Sequence, residues 1–171
     1  MMQEKVDEML DMLNDAGEIV GVASRNDVMQ SDVRNYRLVS AFLRSPDGQF
    51  HILRRAYTKK NFGGCFASVG GCVQAGESYE QALFREIEEE VFLKPIDYTW
   101  QLLGYTNPKI DDTYGHVAVY ELICSKEVTY NPEDFCEIRT LSLDELHQLC
   151  QQQTDVSHNL PIYIKKFYAS F

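Results

Sequence analysis

Apolar and polar positions alternate in short runs along most of this chain, and turn residues separate the runs. That period predicts strands. Residues 8–13 and 18–23 flank Asn14-Asp15-Ala16-Gly17, so 8–23 reads as a hairpin in which Gly17 supplies the unusual backbone angle. Residues 3–13 also fit a short amphipathic helix, and composition leaves both readings open. Strands are predicted over 37–44 and 49–55, joined by the strong turn signal Ser45-Pro46-Asp47-Gly48. Asn61-Phe62-Gly63-Gly64 is a loop, and 65–69 is short and strand-like. Strands over 98–105 and 116–124 are joined by a loop, 106–115, of the kind that can cover a site and choose a substrate. A strand over 135–141 leads to Ser142, which caps a helix over 143–152. A polar linker at 154–159 precedes a terminal helix over about 160–170, whose aromatic residues pack on the domain.

The period changes once before that point. Ser78 can cap a helix, and Gln81 three residues later completes a capping box. On a wheel of about 100° per residue with Glu86 at zero, Glu89 lies near −60° and Glu90 near +40°. Leu83, Phe84, Ile87 and Val91 fall between about 60° and 160°, a coherent apolar stripe. One side of the helix therefore enters a core, and the neighbouring side presents three carboxylates. Glu88 points away from both. Clustered carboxylates repel, and hard oxygen ligands suit magnesium or manganese. The alternative is a solvated acidic helix face, which accounts for Glu88 but not for Gly71, Glu77 and Arg85 at their offsets.

The run Gly71 to Leu93, GCVQAGESYEQALFREIEEEVFL, resembles the Nudix box, G-x5-E-x7-R-E-U-x-E-E-x-G-U with U bulky and aliphatic. Gly71, Glu77, Arg85, Glu86, Ile87, Glu89, Glu90 and Leu93 are in register. Phe92 stands where the family has glycine, so the helix is expected to run one or two residues further before Lys94-Pro95 stops it. The resemblance covers about residues 8–168, with only the box specific. It implies a single domain over 1–171 with an α/β fold, the Nudix α/β/α sandwich with a mixed β-sheet. It implies a metal held by Glu86, Glu89, Glu90 and the Gly71 carbonyl, with Arg85 pairing Glu77 to tie loop to helix. The implied activity is Mg²⁺- or Mn²⁺-dependent cleavage of a diphosphate linkage in a nucleoside diphosphate derivative, such as ADP-ribose or a nucleotide sugar. Glu86, Glu89, Asp111 and Glu137 are candidates to take the proton of the attacking water. Pro108 resembles the proline of ADP-ribose pyrophosphatases.

Two other readings stay in view. One is a non-catalytic Nudix module that binds a nucleotide sugar, although such modules usually have eroded box carboxylates. The other is isopentenyl-diphosphate isomerase, which FASVGGCVQAGES resembles. There the isomerase's catalytic cysteine position falls on Gly70 and its metal-binding histidine on Cys72, so both chemical groups are missing.

Charge refines the substrate. The 171 residues carry a formal net charge of −10, which argues against a large nucleic-acid or anionic-membrane surface. A small anionic diphosphate would need a local basic patch. Arg54, Arg55, Lys59 and Lys60 form one just before the acidic box, and arginine grips phosphate oxygens well. They equally fit an edge strand kept soluble by charge. Arg25 reads more readily as a surface or capping residue than as a phosphate ligand. The five cysteines are widely spaced, without the pairing that structural zinc needs. With no signal peptide or long apolar run, the expected setting is the reducing cytoplasm. A homodimer is expected by family analogy alone.

Overall fold

A computed structural model describes residues 7–152 and 154–169. The organising strand is β3 (Arg37–Arg44), apolar and buried along most of its length. It needs cover on both faces, as a continuous apolar strand does. β3 runs parallel to β8 (His116–Cys124), from Arg37 opposite His116 to Arg44 opposite Ile123. It is antiparallel to β4 (Phe50–Arg55) and β6 (Val69–Cys72). β4 also pairs with β5 (Phe66–Ala67) and β9 (Phe135–Leu141), and β7 (Tyr98–Thr106) flanks β8. The sheet is therefore mixed. Because β4 has partners on both sides, the edge-strand reading of its arginines does not hold.

Side chains two apart share a face, and this divides the core. Val39, Ala41 and Leu43 of β3, with Tyr120 and Leu122 of β8, pack under Leu83, Ile87 and Val91 of α2 (Tyr79–Val91). Phe42, Val117 and Val119 face the other way. They meet Leu146 and Leu149 of α4 (Leu143–Gln152) and Leu160 and Ile164 of α5 (Asn159–Phe167). The result is the α/β/α sandwich with a mixed sheet. α5 starts inside the stretch read as linker, and its last turn is reached before residue 170.

At the N-terminal end, β1 (Met9–Leu13) and β2 (Ile19–Ser24) form an antiparallel hairpin, with Gly17 at φ +81° in the turn. The helical alternative fails over 9–13. Residues 1–6 lie outside the described residues. α1 (Arg25–Gln30) follows, capped by the Ser24 hydroxyl, and was not foreseen. Leu10, Val28, Tyr36 and Cys72 fix this unit to the main sheet. Another short helix, α3 (Pro108–Asp111), interrupts the β7–β8 connection, with Asn107 as its cap.

The end of α2 corrects one expectation. The helix does not run on: Phe92 takes the left-handed conformation, φ 58° and ψ 25°, with its N–H donating to the Glu88 carbonyl. Leu93 is almost fully buried while Phe92 is half exposed. Burying Leu93 requires the chain to turn at Phe92, and tertiary packing overrides local preference. Phe92→Gly should therefore stabilise the fold by about 0.5–1 kcal/mol. That is a rise of about 1–4 °C in Tm by calorimetry; an unchanged or lower Tm would show that the phenylalanine ring contributes more than its backbone strain costs.

Candidate active site

The site is built where β6 meets α2. Ser78 accepts from the Gln81 backbone at 3.1 Å, and the Gln81 side chain accepts from the Ser78 N–H at 2.8 Å. The capping box starts α2 so that Glu86 and Glu90, four residues apart, both face β6. Two successive glycines let them come close. A Cβ on Gly71 would lie 2.4 Å from a Glu86 carboxylate oxygen, so any larger residue there would make that carboxylate shift from its place against the strand. Gly70, at φ +147°, would drive a Cβ to within 2.1 Å of the Val39 carbonyl. Its N–H donates to Glu90 Oε2 at 3.0 Å.

Arg85 fastens the loop between β6 and α2. Its Nε and Nη2 donate to the two oxygens of Glu77, each at 2.8 Å, and Nη2 also reaches the Cys72 carbonyl at 2.9 Å. Nη1 donates to Glu86 Oε1 at 2.7 Å. Glu77 in turn accepts from the Gln74 N–H at 2.9 Å. Burial alone would push Glu77 upward, but the Arg85 hydrogen bonds, the Gln74 N–H and the charges of Arg85 and Arg37 together outweigh it and hold the carboxyl below its ordinary value.

The other two buried carboxylates are less well compensated. Burial raises Glu86 despite the Arg85 pair, and Glu89 repels it further. Burial raises Glu90 well above the ordinary range, and repulsion from Glu86 adds to this against one N–H from Gly70. Glu89 is exposed and sits 3.7 Å from Arg85 Nη1. Among the described residues, no three acid, histidine or cysteine side chains are already gathered around one point. The donor chemistry nevertheless fits a hard divalent cation: oxygens alone, two of them buried with excess negative charge. Glu89 has the freedom that its exposure gives it.

Glu86, Glu89 and Glu90 line one cleft of about 650 Å³ together with Arg55, Lys59 and Lys60. The structure so brings acidic box and basic patch together, with one exception. Arg54 donates to Glu137 at 2.7 Å, Asp155 at 3.0 Å and the Gly64 carbonyl at 2.6 Å, and lies over the Phe66 ring. It is a part-buried structural residue outside the cleft lining. Glu137 is held by Arg54 and Arg139, and Asp111 by Lys166 at 2.8 Å and the Asn107 N–H at 2.8 Å. Neither lines this cleft, so neither is positioned to act as its base. Asp112 pairs with Arg34.

Sequence reading missed Asp134, Arg34, Phe62 and Tyr114, which do line the cleft, and it set aside Arg25. Arg25 pairs with Glu8 at 3.2 Å at the start of α1. Asp134 pairs with Lys59. No spacing signal marks these residues, because separate loops deliver them. Cys72 is buried, and burial pushes its thiol up to about 11. It is an inert residue, and nothing of the isomerase's chemistry remains at this position or at Gly70.

Comparison with known proteins agrees with this geometry. The NUDIX domain family matches residues 35–165. An uncharacterized Nudix hydrolase of Nostoc sp. is 33% identical over 171 residues, covering 99% of this chain and 100% of the relative. The crystal structure of DR0079 from Deinococcus radiodurans superposes with a TM-score of 0.87 at 32% identity, over 94% of this chain and 99% of that one. A protein of Methanocaldococcus jannaschii named ADP-ribose pyrophosphatase is 36% identical over 98 residues, 55% of this chain and 57% of its own length. The chain belongs to the Nudix family and is a hydrolase acting on diphosphate bonds. Nudix hydrolases generally use divalent metals. No helix among the described residues is long and apolar enough to cross a membrane.

Proposed function

We propose that this single domain is a Mg²⁺- or Mn²⁺-dependent hydrolase that cleaves the diphosphate of a nucleoside diphosphate linked to a second group. The observation that carries this reading is the shared cleft, lined both by Glu86, Glu89 and Glu90 and by Arg55, Lys59 and Lys60. Glu86, Glu89, Glu90 and the Gly71 carbonyl would hold the cation. Bound there, it would neutralise phosphate charge and acidify water. The chain's own groups do the rest. Arg55, Lys59 and Lys60 hold phosphate oxygens, and the Glu77–Arg85 pair keeps the loop in place. Glu89, exposed to the cleft, is the carboxylate best suited to take a proton from the attacking water. The water oxygen forms a new bond to one phosphorus, the bridging P–O bond breaks, and its electron pair leaves with the other phosphate. The five cysteines are all unpaired, which suits a reducing compartment such as the cytoplasm.

The kinship with a relative named ADP-ribose pyrophosphatase puts ADP-ribose first among the substrates to try. The test is release of phosphomonoesters from ADP-ribose, nucleotide sugars, dinucleotides, nucleoside triphosphates and isopentenyl diphosphate, with Mg²⁺ or Mn²⁺. Turnover of one nucleoside diphosphate class, lost with chelator, is expected. Turnover confined to triphosphates or isopentenyl diphosphate would overturn the substrate class.

A further inference from the structure

The cleft has a second half that diphosphate chemistry leaves unexplained. Phe62 comes from the β4–β5 loop, Arg34 from the α1–β3 loop and Tyr114 from the β7–β8 loop, and all three line the cleft. The Phe62 and Tyr114 rings meet edge to face, with centroids 5.7 Å apart. The Arg34 guanidinium lies 4.2 Å from the Tyr114 centroid, and its Nη1 donates to Asp112 Oδ1 at 2.8 Å. His158 meets the same ring edge-on at 5.0 Å. Asn159 then clamps the Tyr114 backbone, accepting from its N–H at 2.9 Å and donating to its carbonyl at 3.2 Å. Tyr114 is thus fixed from four directions yet remains 36% exposed, and Phe62 is 40% exposed.

The backbone carries a second, independent sign. Phe62 sits at φ +54°, although Gly63 and Gly64 stand next to it. A bulky residue in the left-handed region is strained, and such strain collects at ligand-binding loops. Here it holds an aromatic ring at the cleft. Three hydroxyl residues, Ser40, Ser68 and Tyr163, also belong to the lining. Ser40 Oγ and Ser68 Oγ are 2.5 Å apart, and the Tyr163 hydroxyl accepts from Asn159 at 3.0 Å.

Strand register gives the order. Gly71 is level with Val39, and His116 is level with Arg37. Tyr114 lies in the bend just before His116, so its ring and the Gly71 carbonyl belong to different levels of the cleft. Val28, Met29, Val33 and Leu38 also line the cleft, and a flat, π-rich group with polar edges matches this mixture of aromatic rings, guanidinium, hydroxyls and apolar side chains.

We propose that Phe62, Tyr114 and Arg34, in the cleft they share with the Ser40, Ser68 and Tyr163 hydroxyls, form a nucleobase subsite that selects nucleoside-bearing diphosphates. The inference rests on the hydrolase reading given above, and the following test separates the two. Binding of AMP, CMP, GMP and UMP is compared with that of ribose 5-phosphate by titration calorimetry in chelator, where no hydrolysis occurs. At least one nucleotide should bind tenfold or more tighter than the base-free probe. Phe62→Gly removes the ring while relieving the backbone, so folding is not at risk; with Tyr114→Ala it should abolish the preference. Tyr114→Phe should keep it. For the nucleoside diphosphate substrate that is hydrolysed, both ring deletions should raise KM about 10–100-fold, the range expected for a lost stacking contact, with kcat falling less than threefold. Equal binding of nucleotides and ribose 5-phosphate overturns the subsite. So does a base preference or a KM that survives both deletions while hydrolysis proceeds. A base preference lost in the variants, in a wild type that hydrolyses no nucleoside diphosphate derivative, leaves the subsite standing and removes the hydrolase reading.

Discussion

Glu90→Gln should abolish turnover and, in the absence of metal, make the protein more stable. Both effects come from one arrangement. Glu90 is 8% exposed, Gly70 N–H is its hydrogen-bond donor, and Glu86 repels it. Glutamine keeps an oxygen to accept from Gly70 but carries no charge, so the burial cost and the repulsion vanish together. A gain of roughly 1–2 kcal/mol is expected near pH 7, well under the full cost of burying an ion because the site is at the cleft wall. For a chain of this size that is about 2–8 °C in Tm. Loss of a carboxylate from the cation's donor set should lower kcat by about 10²–10³-fold or more, comparable to removing a principal electrostatic group.

The pH dependence has a definite sign. The folded carboxyl of Glu90 is held above its unfolded value, so the folded state binds its proton more tightly. Its contribution to stability is therefore full at low pH and is lost as pH rises through the raised value. Glu86 adds a dependence of the same sign in both proteins. The Tm gap between Glu90→Gln and wild type should be small in the ordinary carboxylate range and widen toward neutrality. Divalent cation should close it by stabilising the wild type more than the variant. Melting curves in chelator and in Mg²⁺ across that pH range decide this. A variant that is less stable than wild type at neutral pH without metal would mean the carboxylate is compensated after all, and the cation-site reading would lose its electrostatic support.

What the sequence could reveal depended on distance along the chain. α2, its cap and its three carboxylates are written within one short stretch, so Ser78, Gln81, Glu86 and Glu90 could be placed from local rules. The β3–β4 turn at Ser45-Pro46-Asp47-Gly48 is equally local. Arg54 shows where that fails. Its side chain is claimed by Glu137, 83 residues away, because β9 pairs with β4 in a register that sets Arg54 opposite Glu137. No property of residues 54–60 foretells that pairing. Asp111 is likewise taken by Lys166 from α5. Phe92 obeyed no local rule, since burying Leu93 decided its backbone. Phe62 and Tyr114 belong to loops that meet only in the folded chain, which is why the aromatic end of the cleft was invisible beforehand.

Arg85→Ala should be the most destabilising single change at the site, by about 2–4 kcal/mol, or about 4–16 °C in Tm. Its guanidinium makes four hydrogen bonds to three elements: both oxygens of Glu77, the Cys72 carbonyl and Glu86 Oε1. Removing it leaves Glu77 and Glu86 as carboxylates only 15% and 12% exposed, without their counter-charge. Lysine cannot restore this, because one ammonium has no planar fork to span Glu77 while also reaching Cys72 and Glu86. Arg85→Lys should recover less than half of the loss. A cycle with Glu77→Gln isolates the latch: a coupling of about 1–3 kcal/mol is expected for directly paired residues, and additive losses would show that Arg85 acts through Glu86 alone. The same change bears on catalysis. Arg85 neutralises Glu77 and part of Glu86 but contributes little to exposed Glu89 and does not touch Glu90, so the charge left over is what a divalent cation would balance. A second arginine in the cluster would stabilise the apo protein further and leave no need for the metal; the fold instead spends one cation on the loop and keeps the remaining carboxylates for chemistry.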